Sequence, residues 1–142
     1  MARPVILFLC IGNSIRSQIA EGFARYYGQN KIECFSAGLS PSFVHPMAIG
    51  VMKEKGIDIS EQTSKSLASI DLNKVTTLVT LCGEAEEVCP QIPQKIAKHH
   101  WPFPDPCRVL GSEEKRLNSF RHVRDGIGLK VKEFLTSLKL ES

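Results

Sequence analysis

The strongest constraint on the fold is a short apolar run near the start of the chain, residues 4–9, with the sequence PVILFL. A strand with one face in water alternates apolar and polar residues, so a run without alternation predicts a strand buried on both faces of a parallel sheet. A polar turn follows at residues 10–17, and apolar residues then recur at helical spacing until Gly28 ends a helix. The start of the chain therefore predicts a strand, a turn and a helix, the repeating unit of α/β folds.

The rest of the chain continues this alternation. Further elements are predicted as strands at residues 32–36, 75–81 and 95–99 and as helices at residues 46–56 and 112–138. We therefore expect one domain over residues 1–142, a three-layer α/β/α sandwich around a four-stranded parallel sheet. Ligands bind such sheets beyond the carboxyl ends of the strands. Because Cys10, Cys82 and Asp105 all come just after predicted strands, we expect them to lie together at this edge of the sheet.

Composition limits the classes of partner. The 142 residues carry a net charge of +3, and they contain no stripe of Lys and Arg with interleaved aromatic residues, so we expect no nucleic-acid binding. No apolar run approaches the roughly 20 residues of a membrane span, and the first run is too short for a secretion signal. We therefore expect a cytoplasmic protein that binds no membrane. We also expect a monomer without a metal ion or cofactor. Five cysteines in a reducing compartment indicate thiol chemistry or core packing rather than structural disulfides.

The turn between the first strand and the first helix contains the pattern Cys-x5-Arg-Ser, formed by Cys10, Arg16 and Ser17. A tight loop at a helix N-terminus presents backbone N–H groups and positive potential to an anion, and an arginine can bind a tetrahedral oxyanion through two hydrogen bonds. We predict Cys10 as the thiolate nucleophile, with Ser17 donating to it and also capping the helix. The residues predicted to bind the oxyanion are Ile11, Gly12, Asn13, Ser14, Ile15 and Arg16. In the alternative interpretation, Cys10 is only a small apolar residue at the end of a strand.

Several segments, this turn among them, resemble the low-molecular-weight protein tyrosine phosphatase superfamily. The resemblance rests on residues 5–17, on the helix at residues 19–23, on Ser36-Ala37-Gly38 and on Asp105-Pro106, and it covers nearly the whole chain in matching order. It implies that fold, a loop that binds phosphate or arsenate, and Asp105 as the general acid. The alternative for Asp105 is a simple turn residue, which is common before proline.

Two further cysteines, Cys82 and Cys89, follow the third predicted strand, and their setting resembles the redox segment of thioredoxin-coupled arsenate reductases. The resemblance implies an adduct of Cys10 with arsenate, then a Cys10–Cys82 disulfide, then a Cys82–Cys89 disulfide that thioredoxin, or alternatively glutaredoxin with glutathione, reduces. In a regular helix the two sulfurs would lie about 10 Å apart along the axis, whereas a disulfide needs Cα atoms within roughly 7 Å, so the segment must rearrange. Cys34 is expected in the core, and Cys107 is interpreted as a bystander, with an additional redox partner as the alternative.

Two other functions stay open at this point. A tyrosine phosphatase would use Cys10, Arg16 and Asp105 with water in place of Cys82, and weak phosphatase activity is compatible with a reductase. The absence of paired tyrosines in residues 108–121 argues mildly against a phosphatase. An anion-binding or signalling protein without turnover would leave the arrangement of three cysteines without a purpose.

Three positions, Asn13, Glu21 and Ser36, match residues that in some reductases of this family help to hold a potassium ion. This chain departs from that pattern at Lys65, where a carboxylate ligand is expected. We predict that the lysine ammonium replaces the ion and pairs with Glu21, and that the activity is largely indifferent to potassium.

Overall fold

The computed structural model describes residues 3–81 and 92–138. Among these residues, four strands form one sheet in the order β2-β1-β3-β4, and each neighbouring pair is parallel. The strands are β1 (Val5–Cys10), β2 (Glu33–Gly38), β3 (Thr77–Thr80) and β4 (Ala97–His100). The prediction of an α/β fold with a four-stranded parallel sheet is confirmed.

Three α-helices lie in the same described ranges: α1 (Arg16–Gly28), α2 (Pro46–Lys53) and α3 (Glu113–Ser137). Short 3₁₀ turns occupy Gln29–Lys31, Leu67–Ser69, Leu72–Lys74 and Pro106–Arg108. None of the helices within residues 3–81 and 92–138 is long and apolar enough to cross a membrane.

Strand β1 lies inside the sheet, and its side chains enter two separate apolar clusters. Ile6 and Phe8 belong to the larger cluster, which the buried faces of α1, α2 and α3 complete. Leu7 and Leu9 belong to the smaller cluster on the opposite face, where residues 67–72 pack against them. All six residues of β1 are buried, and this two-sided burial is why the apolar run shows no alternation. In the described residues, α-helices cover one face of the sheet and 3₁₀ turns contribute to the cover of the other.

Several predicted boundaries differ from the structure by a few residues, and two of them, the start of β3 and the end of α2, do so because tight turns replace regular structure. Strand β3 does not begin at residue 75, since the Val75 amide donates to the Leu72 carbonyl (3.2 Å) and so completes a turn. Helix α2 does not continue to Gly56, because the Gly56 amide bonds only three residues back, to the Lys53 carbonyl (2.9 Å). Gly56 has a φ of 76°, a left-handed conformation that favours glycine, and it closes the turn that follows the helix.

Candidate active site

The loop of residues 11–15 joins the end of β1 to the start of α1, and its shape depends on two backbone positions. Asn13 has a φ of 48°, in the left-handed region that asparagine tolerates better than most residues. Gly38, at the end of β2, lies against the loop. A Cβ atom on Gly38 would come within 2.6 Å of the Ile11 carbonyl oxygen and 2.9 Å of the Asn13 nitrogen. Any side chain at residue 38 would therefore displace the loop.

The carbonyl groups of this loop are bonded to the protein around it. The pairs are Leu39 N to Cys10 O (3.3 Å), Ser40 N to Ile11 O (2.8 Å), Ser42 N to Gly12 O (3.1 Å), Gln18 Nε2 to Asn13 O (3.0 Å) and His45 N to Ser14 O (3.0 Å). Because these carbonyls are taken, the backbone offers an incoming anion its N–H groups, at the positive end of α1. The arrangement suits the predicted oxyanion cradle.

The Cys10 thiol, at the end of β1, is surrounded by hydrogen-bond donors although the residue is only 3% exposed. Its sulfur lies 2.9 Å from Ser17 Oγ, and the Asn13 amide donates to it at 3.3 Å. The Asn13 side chain donates from Nδ2 to Ser17 Oγ (2.8 Å), while its Oδ1 accepts from the Lys65 amide (2.9 Å). When Cys10 is a thiolate, the Ser17 hydroxyl group is the member of this pair that has a proton to donate. Two donors thus face Cys10, which suits a thiolate.

The prediction that Ser17 caps the first helix is wrong. Helix α1 begins at Arg16, its N-cap residue is Ile15, and no side chain provides the cap hydrogen bond. Ser17 lies one residue inside the helix, where its hydroxyl group faces Cys10 and Asn13 instead of the helix backbone.

A cavity of about 390 Å³ opens above the loop and joins seven of the predicted catalytic and oxyanion-binding residues. Its lining consists of Cys10, Ile11, Gly12, Ser14, Ile15, Arg16, Asp105 and Arg108. Asn13 and Ser17 lie behind this lining as partners of the Cys10 sulfur. Arg16 donates from Nη1 to the Phe103 carbonyl (2.9 Å), a bond that holds the guanidinium beside the cavity. Sequence reasoning missed Arg108, whose position three residues after Asp105 was the available signal.

Asp105 is both a turn residue and part of the cavity wall. It caps the Pro106–Arg108 turn, with Oδ1 accepting from the Cys107 amide at 2.9 Å. Its second oxygen, Oδ2, lies 3.9 Å from Arg108 Nε. One carboxylate oxygen is therefore fixed by the backbone, whereas the other faces the Arg108 guanidinium, and the residue lines the cavity in which the predicted general acid would act.

Cys34 lies in β2 and is buried in the larger apolar cluster, as expected. Burial raises the pKa of its thiol to about 11, although the nearby Arg25 acts in the opposite direction. Its sulfur faces the Glu21 carbonyl at 3.8 Å. A thiol with so high a pKa is neutral and unreactive near pH 7.

Cys107 is exposed, and it is not part of the cavity lining. Its sulfur lies 3.8 Å from Nε2 of His45, whose Nδ1 accepts from the Met47 amide at the start of α2. Burial lowers the pKa of His45 and the charge of Arg116 adds to this effect, while Asp105 acts in the opposite direction, so the protein favours the neutral ring. Cys82 and Cys89, the two other predicted redox residues, lie outside the described residues.

The positions that resemble a potassium site already have partners within the protein. Glu21, which is 4% exposed, accepts from Ser36 Oγ (2.5 Å) through Oε1 and from the Arg25 guanidinium through Oε2. Lys65 Nζ lies 3.9 Å from Glu21 Oε1. The Asn13 side chain is occupied by Ser17 and the Lys65 amide. These residues do not fit a potassium ion, because both carboxylate oxygens already face protein cations.

Comparison with known proteins agrees with this architecture. The low molecular weight phosphotyrosine protein phosphatase family matches the chain over residues 5–142. An arsenate reductase of Bacillus subtilis (strain 168) is 46% identical over 134 residues, which cover 94% of this chain and 96% of the relative.

Solved structures show the same relationship. A structure described as an arsenate reductase in the oxidized state is 34% identical with a TM-score of 0.82, covering 94% of this chain and 97% of that chain. A thioredoxin-dependent arsenate reductase of Corynebacterium glutamicum is 25% identical with a TM-score of 0.76, covering 96% of this chain and 62% of that chain.

Proposed function

The chain belongs to the low molecular weight phosphotyrosine protein phosphatase family, and from this premise we propose that it is an arsenate reductase, which converts arsenate to arsenite. The observation that carries the proposal is the Cys10 sulfur, which faces the Ser17 hydroxyl at 2.9 Å and the Asn13 amide at 3.3 Å. Arg16 and Asp105 line the same cavity. A nucleophile, an oxyanion-binding cation and an acid therefore meet around one small space.

In the first step the Cys10 thiolate attacks arsenic, and a sulfur–arsenic bond forms. Arg16 and the loop amides hold the remaining arsenate oxygens, whose negative charge they offset. Asp105 protonates one oxygen, which leaves as water, and the carboxylate regains a proton from solvent afterwards. This step changes no oxidation state.

The two electrons that reduce arsenic come from the Cys10 and Cys82 thiolates in the second step, and the third step is a thiol–disulfide exchange. The Cys82 thiolate attacks the Cys10 sulfur, the sulfur–arsenic bond breaks, and its electron pair stays on arsenic, which leaves as arsenite. Cys89 then attacks Cys82, which frees Cys10 as a thiolate and leaves a Cys82–Cys89 disulfide. An external dithiol reduces that disulfide and completes the cycle.

Thioredoxin is the proposed dithiol, with glutaredoxin and glutathione as the alternative donor. Support comes from the spacing of Cys82 and Cys89 and from the similarity to a thioredoxin-dependent reductase. We propose that the protein is a cytoplasmic monomer with one domain over residues 1–142. In the cytoplasm, reduced thioredoxin keeps thiols available.

Counting thiols tests the proposal. The reduced protein is treated with one equivalent of arsenate and its free thiols are titrated, and we expect a loss of two thiols with Cys82 and Cys89 joined in the disulfide-mapped peptides. The Cys107→Ser variant is the matched control, and it should lose the same number because Cys107 lies outside the cavity lining. An unchanged thiol count in the wild-type protein would refute reductase activity.

A second experiment identifies the electron donor. Arsenate-dependent consumption of NADPH is measured with thioredoxin and its reductase, and in parallel with glutaredoxin and glutathione. Faster turnover with thioredoxin is expected. The Cys89→Ser variant should release arsenite once and then stop, and repeated turnover by this variant would contradict the proposed order of exchanges.

Phosphatase activity is the second candidate, favoured by the fact that Cys10, Arg16 and Asp105 meet without any need for Cys82. Phosphate and arsenate are both tetrahedral oxyanions, so the same cradle accepts both. Hydrolysis of p-nitrophenyl phosphate measures this activity, and we expect it to be weak. A phosphatase without reductase activity would hydrolyse the ester and lose no thiols with arsenate.

A further inference from the structure

Arg108 is a cation of the cavity that belongs to neither the Cys-x5-Arg-Ser pattern nor the redox segment. It ends the Pro106–Arg108 turn, three residues after Asp105, and a 3₁₀ turn places residues three apart on the same side. Its side chain is 80% exposed, and its Nε lies 3.9 Å from Asp105 Oδ2. The guanidinium therefore lines the cavity from its solvent side and is held only loosely.

The charges of the cavity lining indicate that this guanidinium attracts anions. The lining holds two cations, Arg16 and Arg108, together with the Asp105 carboxylate and the Cys10 thiol. Arg16 is anchored on the inner side by its bond to the Phe103 carbonyl (2.9 Å). Without Arg108, an incoming anion would meet the Cys10 thiolate and the Asp105 carboxyl group with a single cation, Arg16, to bind it.

Starting from the proposed function, we propose that Arg108 captures the incoming tetrahedral oxyanion at the cavity entrance and so determines the affinity for it. In doing so the guanidinium exchanges its ion pair with Asp105 for a pair with the oxyanion. The exchange is easy, because an exposed ion pair at 3.9 Å contributes little to stability. It also leaves Asp105 Oδ2 free to face the oxyanion, while Oδ1 stays bonded to the Cys107 amide.

Two variants and a control test this role. In Arg108→Gln we expect the KM for arsenate to rise about tenfold while kcat changes less than about twofold, because a binding interaction outside the bond-making atoms is lost. Arg108→Lys keeps the charge and should recover most of the affinity. Lys74→Gln removes one positive charge from an exposed turn that precedes β3, at the opposite edge of the sheet, and should match the wild type.

A binding measurement without turnover separates this inference from the reductase proposal. Inorganic phosphate should protect Cys10 from alkylation by iodoacetamide, and the phosphate concentration that halves the rate should rise about tenfold in Arg108→Gln. Suppose that the wild-type protein loses no thiols with arsenate, but that phosphate protection is still weaker in Arg108→Gln than in the wild type. The reductase proposal would then fail, and the role of Arg108 in binding the oxyanion would stand.

Two results overturn the role of Arg108. The first is that Arg108→Gln has the same KM for arsenate as the wild type and needs the same phosphate concentration to halve the alkylation rate. The other is an equal shift in Lys74→Gln, which would show a general effect of net charge. Because the Arg108 side chain is exposed, Arg108→Gln should unfold at the same temperature as the wild type. If Arg108→Gln proves less stable, Arg108→Lys tests the role of the positive charge independently.

Discussion

Two groups of charged and thiol side chains adjoin α1, and they are built in opposite ways. The cavity cluster shares an open space at the carboxyl edge of the sheet and comprises Cys10, Arg16, Asp105 and Arg108. The internal cluster lies where α1 faces β2 and comprises Glu21, Arg25, Cys34, Ser36 and Lys65. In the internal cluster the charges are paired with one another, although a cavity borders Glu21, Arg25 and Lys65 as well. The cavity cluster holds one loose ion pair, between Asp105 and Arg108, and leaves its groups available to a ligand.

The two buried cysteines show that burial alone does not identify a reactive thiol. Cys10 is 3% exposed and Cys34 is 7% exposed, so accessibility does not separate them. Cys10 faces the Ser17 hydroxyl and the Asn13 amide, which suit a negative sulfur. Cys34 faces a carbonyl oxygen, and burial raises its pKa to about 11. The difference lies in the partners that the fold places around each sulfur.

The largest expected effect comes from removing each thiol in turn. Cys10→Ser should lower arsenate reduction at least about 10⁴-fold, because a hydroxyl group is not ionised at neutral pH and cannot replace the thiolate. Cys34→Ser should keep activity within about twofold of the wild type and lower the free energy of unfolding by about 1 kcal/mol. Steady-state rates and urea unfolding measure both. A large loss of activity in folded Cys34→Ser would break the comparison.

Alkylation as a function of pH compares the two sulfurs directly. With a pKa of about 11, Cys34 has about one thiolate per thousand molecules at pH 8, and this fraction rises only as the pH approaches the pKa. We expect iodoacetamide to label Cys10 between pH 6 and 8 and to leave Cys34 unlabelled, as measured by peptide mass spectrometry. Urea-unfolded protein, in which both thiols are accessible, is the control. Comparable labelling rates in the native protein would contradict the contrast.

Two buried serines provide a matched pair with a smaller effect. Ser17→Ala removes a donor to the Cys10 thiolate, so kcat should fall about 10- to 100-fold. Ser36→Ala removes a donor to the buried Glu21 carboxylate, so the protein should lose about 1–2 kcal/mol of stability with kcat nearly unchanged. Single-turnover kinetics and urea unfolding separate the two outcomes. The assignment is wrong if Ser36→Ala lowers kcat as much as Ser17→Ala does.

The smallest expected effect concerns potassium. Because Glu21 already faces Arg25, Ser36 and Lys65, replacing sodium by potassium at equal ionic strength should change the rate by less than about twofold. The Lys65→Gln variant is measured in both salts. If the Lys65 ammonium group excludes potassium, the activity of this variant should become dependent on potassium. Strong activation of the wild-type protein by potassium would show that the internal cluster is open to a ligand after all.

Local patterns were sufficient for most of the framework. The apolar run of residues 4–9 predicted β1, because two-sided burial removes the polar alternation, and the turn and helix after it were readable from residue type alone. The start of β3 and the end of α2 were less predictable from the sequence. Each depends on the carbonyl group to which a backbone amide donates, and both of these amides donate three residues back, within a turn. The hydrogen bond between Ser17 and Cys10 was predicted, but the predicted cap on α1 was wrong, because the Ser17 hydroxyl group faces the sulfur and not the helix backbone.

The sequence by itself determined the order of strands and helices along the chain, the position of the loop between β1 and α1 that we propose to bind the oxyanion, and the presence of thiols in positions that suit redox chemistry. Only the tertiary structure decided that Gly38 must lack a side chain, that Arg25 shares the Glu21 carboxylate, and that Arg108 joins the cavity. The physical reason is range. Burial and helix signals repeat along a few neighbouring residues, whereas close approach and charge pairing depend on elements that meet only after the chain has folded.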